Sequence, residues 1–129
     1  MVELIRSDEL TGAVPYAYAA VAGGTVFTAG ACPIDRDDTV VAAGDVTGQA
    51  EQVMANLVAA LRAAGAELTD VVKTTVYVTT TDRADLLAAW DVVSRWFGAH
   101  DAPSTLLGVT VLGYPGQLVE VEAIAVRTP

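Results

Sequence analysis

The chain has 129 residues, enough for one domain with a real hydrophobic core and too few for two. Seven basic residues stand against 16 acidic ones, a formal charge of -9 that repels phosphate backbones and argues against nucleic acid as a partner. The composition is nonetheless 53% hydrophobic and only 18% charged, more apolar than a small monomer needs to keep its surface wet, and this points to self-association.

Cys32 is the only cysteine, so no internal disulfide forms, and a reducing cytoplasm is the expected location. The opening MVELIRSDEL carries Glu3, Arg6, Asp8 and Glu9 with no apolar run behind a basic segment, and does not read as a signal peptide. No apolar stretch approaches the roughly 20 residues of a membrane span. No membrane partner is expected.

Val2 to Arg6 alternates weakly, as a short edge strand would. Ala13 to Ala22 and Thr25 to Gly30 read as two strands joined at Gly23-Gly24, whose glycines tolerate the positive φ of a primed hairpin turn. Pro15 is expected to mark where the first begins. Residues 32 to 44 carry Pro33 and clustered aspartates without a sustained period and read as a loop, with room for a short strand at Val40-Val41.

From Asp45 the period changes to that of a helix. Ala50, Val53, Met54, Leu57, Val58, Leu61 and Ala64 fall on one face, with Asp45 or Thr47 placed to cap and Gly65 placed to stop it. Val71 to Thr79 is β-branched and aromatic and reads as a strand. Asp82 can cap a second helix with Leu86, Trp90, Val93 and Phe97 as its stripe and Gly98 as its end. Ser104 to Leu112 is a further strand, and GYPGQ turns the chain into the last one, Leu118 to Val126.

That last strand, LVEVEAIAV, sets Glu120 and Glu122 on one face with Leu118, Ile124 and Val126. A carboxylate among apolar neighbours needs pairing or water. Either these acids lie at a wet strand edge, or one of them lines a cleft and handles water or protons.

The order β-β-α-β-α-β-β is α+β, a sheet with two helices on one face, in a single domain spanning 1–129. Alternation gives Val71–Thr79 one side with Val72, Thr74, Val76 and Val78 and another with Val71, Lys73, Thr75 and Tyr77; in Ser104–Leu112 both sides are also largely apolar. Two helices cover only one face. The other is expected to pack against copies of the same chain in a closed homo-oligomer.

Several stretches together carry a resemblance: Pro15-Tyr16, Thr28 to Gly30, Gln49 with Asn56-Leu57, Ala63 to Gly65, DVVKTTVYV at 70–78 and VEVEAIAV at 119–126. Nearly end to end the chain resembles the RidA (YjgF-like) family of enamine/imine deaminases. The resemblance implies a chorismate-mutase-like α+β fold and a homotrimer with a cleft between subunits. In active members that cleft hydrolyses reactive enamines or imines to a keto acid and ammonia. It implies no metal and no cofactor. Carried over by position, Tyr16 matches the family's cleft tyrosine, Glu120 the glutamate that positions water, and Gly30 the backbone beside the substrate.

The chain also departs from the family. The arginine that clamps the substrate carboxylate, shortly after the proline that is here Pro103, is replaced by Ser104 or Thr105, and a hydroxyl does not replace a bidentate guanidinium. The family's serine before the hairpin glycine is Ala29, its cysteine falls at Leu106 or Leu107, and its helix asparagine aligns with Trp90. These positions are the expected small-molecule contacts. Three functions are open: hydrolysis of an enamine or imine whose substrate lacks the carboxylate or holds it elsewhere, noncatalytic binding of a small apolar or aromatic ligand in the same cleft, and a related imine dehydration or cyclisation in a biosynthetic pathway. Ribonuclease activity is disfavoured by the charge and by the lack of a histidine pair.

His100, alone in a polar loop, reads as surface, and Cys32 as a small side chain rather than a nucleophile. Lys73, the only lysine, is expected to pair with an interfacial carboxylate rather than form a Schiff base. Trp96 reads as helix core or interface. Asp35, Asp37 and Asp38 read as a solvated turn, lacking the spacing of a calcium loop.

Overall fold

The computed structural model describes residues 1–127; the final two positions of the expected 1–129 domain lie outside the described residues. Strands β1 (Glu3–Ile5), β2 (Ala19–Ala22) and β3 (Thr25–Thr28) precede helix α1 (Val46–Ala63). Then come β4 (Val71–Thr79), helix α2 (Arg83–Phe97), β5 (Ser104–Val109) and β6 (Val119–Val126). They form one mixed sheet in the order β1-β2-β3-β6-β4-β5. Only β4 and β5 run parallel, since α2 carries the chain between them. The last strand is therefore central, hydrogen-bonded to β3 on one side and β4 on the other.

Both helices share one core with one sheet face. Val26, Val76, Val78, Val119 and Val121 meet Val53, Met54 and Leu57 of α1 and Val92 and Val93 of α2 in a single buried cluster. Helix α1 ends at Gly65, φ 83°, with Ala66 N–H bonded to Leu61 O and Gly65 N–H to Arg62 O, the paired bonds of a Schellman stop. Asp45 takes the N-cap position of α1 without a side-chain cap bond, whereas Asp82 Oδ1 accepts the Ala84 N–H at 2.9 Å and caps α2. No helix among the described residues is long and apolar enough to cross a membrane.

The structure corrects the sequence reading at three places. Residues 13–18 are not strand: pairing in the hairpin starts at Ala19, and Val14 instead joins Cys32 and Ile34 in a second small cluster. The strand expected over Ser104–Leu112 stops at Val109, opposite Thr79, where its partner strand also stops. In β4 a bulge between Val71 and Lys73 exchanges the expected sides of Val71 and Val72 and leaves the rest of the strand as expected. Val71 enters the core with Thr74, Val76 and Val78, while Val72 is exposed and Lys73, Thr75 and Tyr77 hold the open face.

Candidate active site around Glu120

Alternation along β6 buries Val119, Val121, Ala123 and Ala125 under the helices and turns Glu120, Glu122 and Ile124 to the open face. Glu120 lies level with Tyr77 of β4 on one side. On the other, the chain beyond β3 returns to pair Ala31 with Val121 after a one-residue slip relative to Phe27 and Ile124. Thr28 Oγ1 fills the break by accepting the Ala123 N–H at 2.9 Å. This slip slides Gly30 beneath the Glu120 side chain. A Cβ there would overlap the carboxylate and lie 2.7 Å from its Cγ, so only glycine permits the approach.

Two donors fix one carboxylate oxygen. Gln117 Nε2 donates to Glu120 Oε1 at 3.1 Å, and the single proton of Cys32 Sγ is shared between that atom and Gly30 O, each at 3.4 Å. No donor among the described residues reaches Oε2, and that atom is not sealed from solvent. Gln117 is itself fully committed: Nε2 also donates to Val119 O, and Oε1 accepts the Tyr114 N–H. Buried Gln49 of α1 clamps the same turn from the core, donating to Gly116 O at 3.0 Å and accepting the Leu118 N–H at 2.7 Å. Two buried amides thus set the entry of β6 and with it the height of Glu120.

Charge and burial keep the neighbouring acids protonated. Burial, then the negative charge of Glu120, pushes the Cys32 thiol up to about 12. The Tyr16 phenol is also raised, by burial first and then by electrostatic interaction with Cys32, Glu120 and Asp38. Both are donors at neutral pH. Further along the face Tyr77 Oη donates to Glu122 Oε1 at 2.7 Å, and that bond, followed by burial, pushes Tyr77 up to about 12.

Of the residues singled out in the sequence, Glu120, Tyr16 and Gly30 come together, with Ala29 beside them. Trp90, Ser104 and Leu106 do not join them. Ser104 and Leu106 are in register with Thr74 and Val76, which face the helices, so they point to the covered side. Ser104 Oγ is bonded to Thr74 Oγ1 at 2.7 Å, and Leu106 and Trp90 pack against the core. Thr105 does lie on the open face, two strands from β6, where it accepts from Lys73 Nζ at 3.3 Å. Within the chain Lys73 forms no ion pair among the described residues.

Cys32 and Gln117 are the participants that sequence reading missed. The thiol, expected to be a plain filler, is buried against the carboxylate two residues beyond Gly30. Gln117 sits three residues before Glu120, and only the turn geometry brings the two side chains together. His100, expected at the surface, instead places Nε2 2.8 Å from Val71 O and stacks at a tilt on Phe97. Trp96 is half-exposed and donates from Nε1 to Glu51. Asp35 Oδ1 accepts the N–H groups of Asp37 and Thr39, the turn its sequence suggested. Among the described residues no group of three or more His, Cys, Asp or Glu is placed to hold a metal.

The chain is similar to known proteins in both sequence and fold. The family model described as Endoribonuclease L-PSP matches residues 6–127. A RutC family protein of Pyrococcus horikoshii is 38% identical over 114 residues, covering 88% of this chain and 87% of its own. The 2-iminobutanoate/2-iminopropanoate deaminase of Salmonella typhimurium is 35% identical, covering 98% and 99%. The crystal structure of RidA from an Antarctic Psychrobacter species superposes with a TM-score of 0.84 at 31% identity, over 96% of this chain and 98% of that one. The chain belongs to the RidA (YjgF-like) family.

Proposed function

We propose that the protein hydrolyses a reactive enamine or imine to a carbonyl compound and ammonia, in a cleft completed where copies of the chain meet. The observation that carries this reading is the state of Glu120: one oxygen held by two donors, the other open above the Gly30 backbone. A relative named for deaminating 2-iminobutanoate and 2-iminopropanoate, matched over nearly its whole length, supports the reaction class.

In the reaction, water adds to the carbon of the C=N bond. Its proton passes to Glu120 Oε2 as the new C–O bond forms, and the nitrogen takes up a proton. Glu120 then returns that proton to the amine nitrogen and takes up the hydroxyl proton of the carbinolamine as the C–N bond breaks, the carbonyl forms and ammonia leaves; loss of the proton to solvent restores the carboxylate. Tyr16, kept protonated by its surroundings, supplies a neutral donor at the rim. The family's guanidinium is missing, and Thr105 offers only a hydroxyl. The preferred substrate is therefore one whose binding does not rest on a carboxylate.

The open face supports assembly as a homotrimer. Phe27, Leu107 and Val126 are exposed there beside partly buried Ile124 and Tyr77, an apolar patch that self-packing removes from water. The test is direct: imines made in situ by an amino-acid oxidase or an amine oxidase decay faster with the protein than without it. No acceleration for amino-acid, amine or cyclic imines would leave binding without turnover as the role of the cleft.

A further inference from the structure

The sheet register gives Glu120 an aromatic neighbour. Tyr77 of β4 is its direct cross-strand partner, so the two side chains leave the same face with Cβ atoms about 5 Å apart. The phenol is held: Tyr77 Oη donates to Glu122 Oε1 at 2.7 Å, so the ring runs along the open face toward the next acid of β6. On the other side of Glu120 lies Gly30, which has no side chain. A ligand above the carboxylate thus meets bare backbone on one side and a fixed ring on the other.

The charges here favour a cation. Strands β3, β4, β5 and β6 carry only three charged side chains, Glu120, Glu122 and Lys73. Lys73 stands four residues before Tyr77, about 13 Å along the strand, and donates to Thr105 Oγ1. Arg6 donates to the Tyr16 carbonyl at 3.1 Å, and the phenols of Tyr16 and Tyr77, both raised in pKa, stay neutral. Glu120 Oε2 has no donor among the described residues. The chain as a whole, at -9, draws cations and repels anions. A cation above Glu120 therefore finds a carboxylate and an aromatic ring, both of which attract it.

We propose that the cleft takes its substrate as a protonated imine without a carboxylate, a cation of the kind an amine yields, with the Glu120 charge and the Tyr77 ring as its two anchors. The assignment rests on the imine reading for the reaction, while the preference for a cation does not. The proton that nitrogen needs as water adds then arrives with the substrate. Iminium and water give a neutral carbinolamine and a protonated Glu120, so the charge balances. Glu122 acts at one remove, by holding the ring in place.

Benzamidine is a suitable probe: its amidinium is a flat, stable C–N cation, benzamide is its neutral counterpart and benzoate its anionic one. Expected is saturable binding of benzamidine that moves the NMR signals of the Gly30 amide and the Gln117 side-chain amide, with benzamide and benzoate at least tenfold weaker. Glu120→Gln is expected to raise the benzamidine Kd at least tenfold, and Tyr77→Leu at least threefold. Should either variant fail to fold, the three probes on the wild type decide the matter alone. Benzamide binding as well as benzamidine, benzoate binding better, or signal changes confined to other regions would overturn the assignment, and an unchanged Kd in folded Tyr77→Leu would remove the ring from it. In turnover, the imine made from phenethylamine by an amine oxidase is expected to exceed the one made from phenylalanine by an amino-acid oxidase at least tenfold in kcat/KM. The reverse preference would overturn the assignment and leave the hydrolase reading standing. Benzamidine bound through Glu120 without turnover of either imine would do the opposite.

Discussion

Gln117 Nε2 and Cys32 Sγ converge on the same oxygen of Glu120, at 3.1 and 3.4 Å, and leave the other oxygen free. The carboxylate is thereby held in one rotamer before any ligand arrives, which is the preorganisation a proton-accepting group needs. Cys32→Ala removes one donor from a small site with little loss of packing. It is expected to lower kcat about threefold to tenfold with KM nearly unchanged, and Cys32→Ser, which keeps a donor, to restore most of the loss. Steady-state kinetics on the three proteins provide the check.

Gly30 is the sharper test of the same geometry. Its backbone does not need positive φ, so alanine is tolerated by the chain but not by the carboxylate above it. Gly30→Ala is expected to reduce turnover about a hundredfold by displacing the acid, with a stability loss of only about 1–3 kcal/mol. Thermal unfolding measured beside kcat separates the two effects.

Stability should respond to alkali through Cys32. Its folded pKa, about 12, lies above the ordinary thiol value of 9.0, so folding favours the neutral form. That contribution is complete below pH about 9 and is lost as pH rises toward about 12. Unfolding free energy should therefore fall faster with pH in the wild type than in Cys32→Ala over this window. Iodoacetamide should label the native thiol far more slowly than the unfolded one.

The proposed assembly depends on the open sheet face. Phe27 and Leu107 are exposed there in the single chain. Phe27→Asp and Leu107→Glu introduce charges that self-packing would bury, and each is expected to shift the species in analytical ultracentrifugation toward the monomer. A wild type sedimenting as monomer at low micromolar concentration would remove the need for an interfacial cleft.

How far the sequence revealed these features depended on whether a local period carried them. Alternation in Leu118–Val126 put Glu120 and Glu122 on one face, and the structure keeps them there. The helical stripe of α1 and its glycine stop were equally plain. A strict period, however, has no way to register the extra residue at Val72, so the two sides of β4 were exchanged at its start. The stretch around Pro15 looked like strand, yet Val14 packs with Cys32 and Ile34 across a loop, a tertiary choice that local propensity does not encode. Positional matching brought Trp90, Ser104 and Leu106 to the site because their neighbours in sequence resemble the family, while strand register turns Ser104 and Leu106 toward the helices. Cys32 and Gln117 escaped notice because their partner is reached through folding and not through spacing: Cys32 and Glu120 are 88 residues apart.

The most direct measurement follows the decay of imines generated by an amino-acid oxidase, with wild-type protein and with Glu120→Gln. Glutamine keeps the size of the side chain but cannot take up the water's proton. Expected is clear acceleration by the wild type and a loss of about a hundredfold or more in the variant. Equal rates for the two proteins would contradict the central role given to this carboxylate.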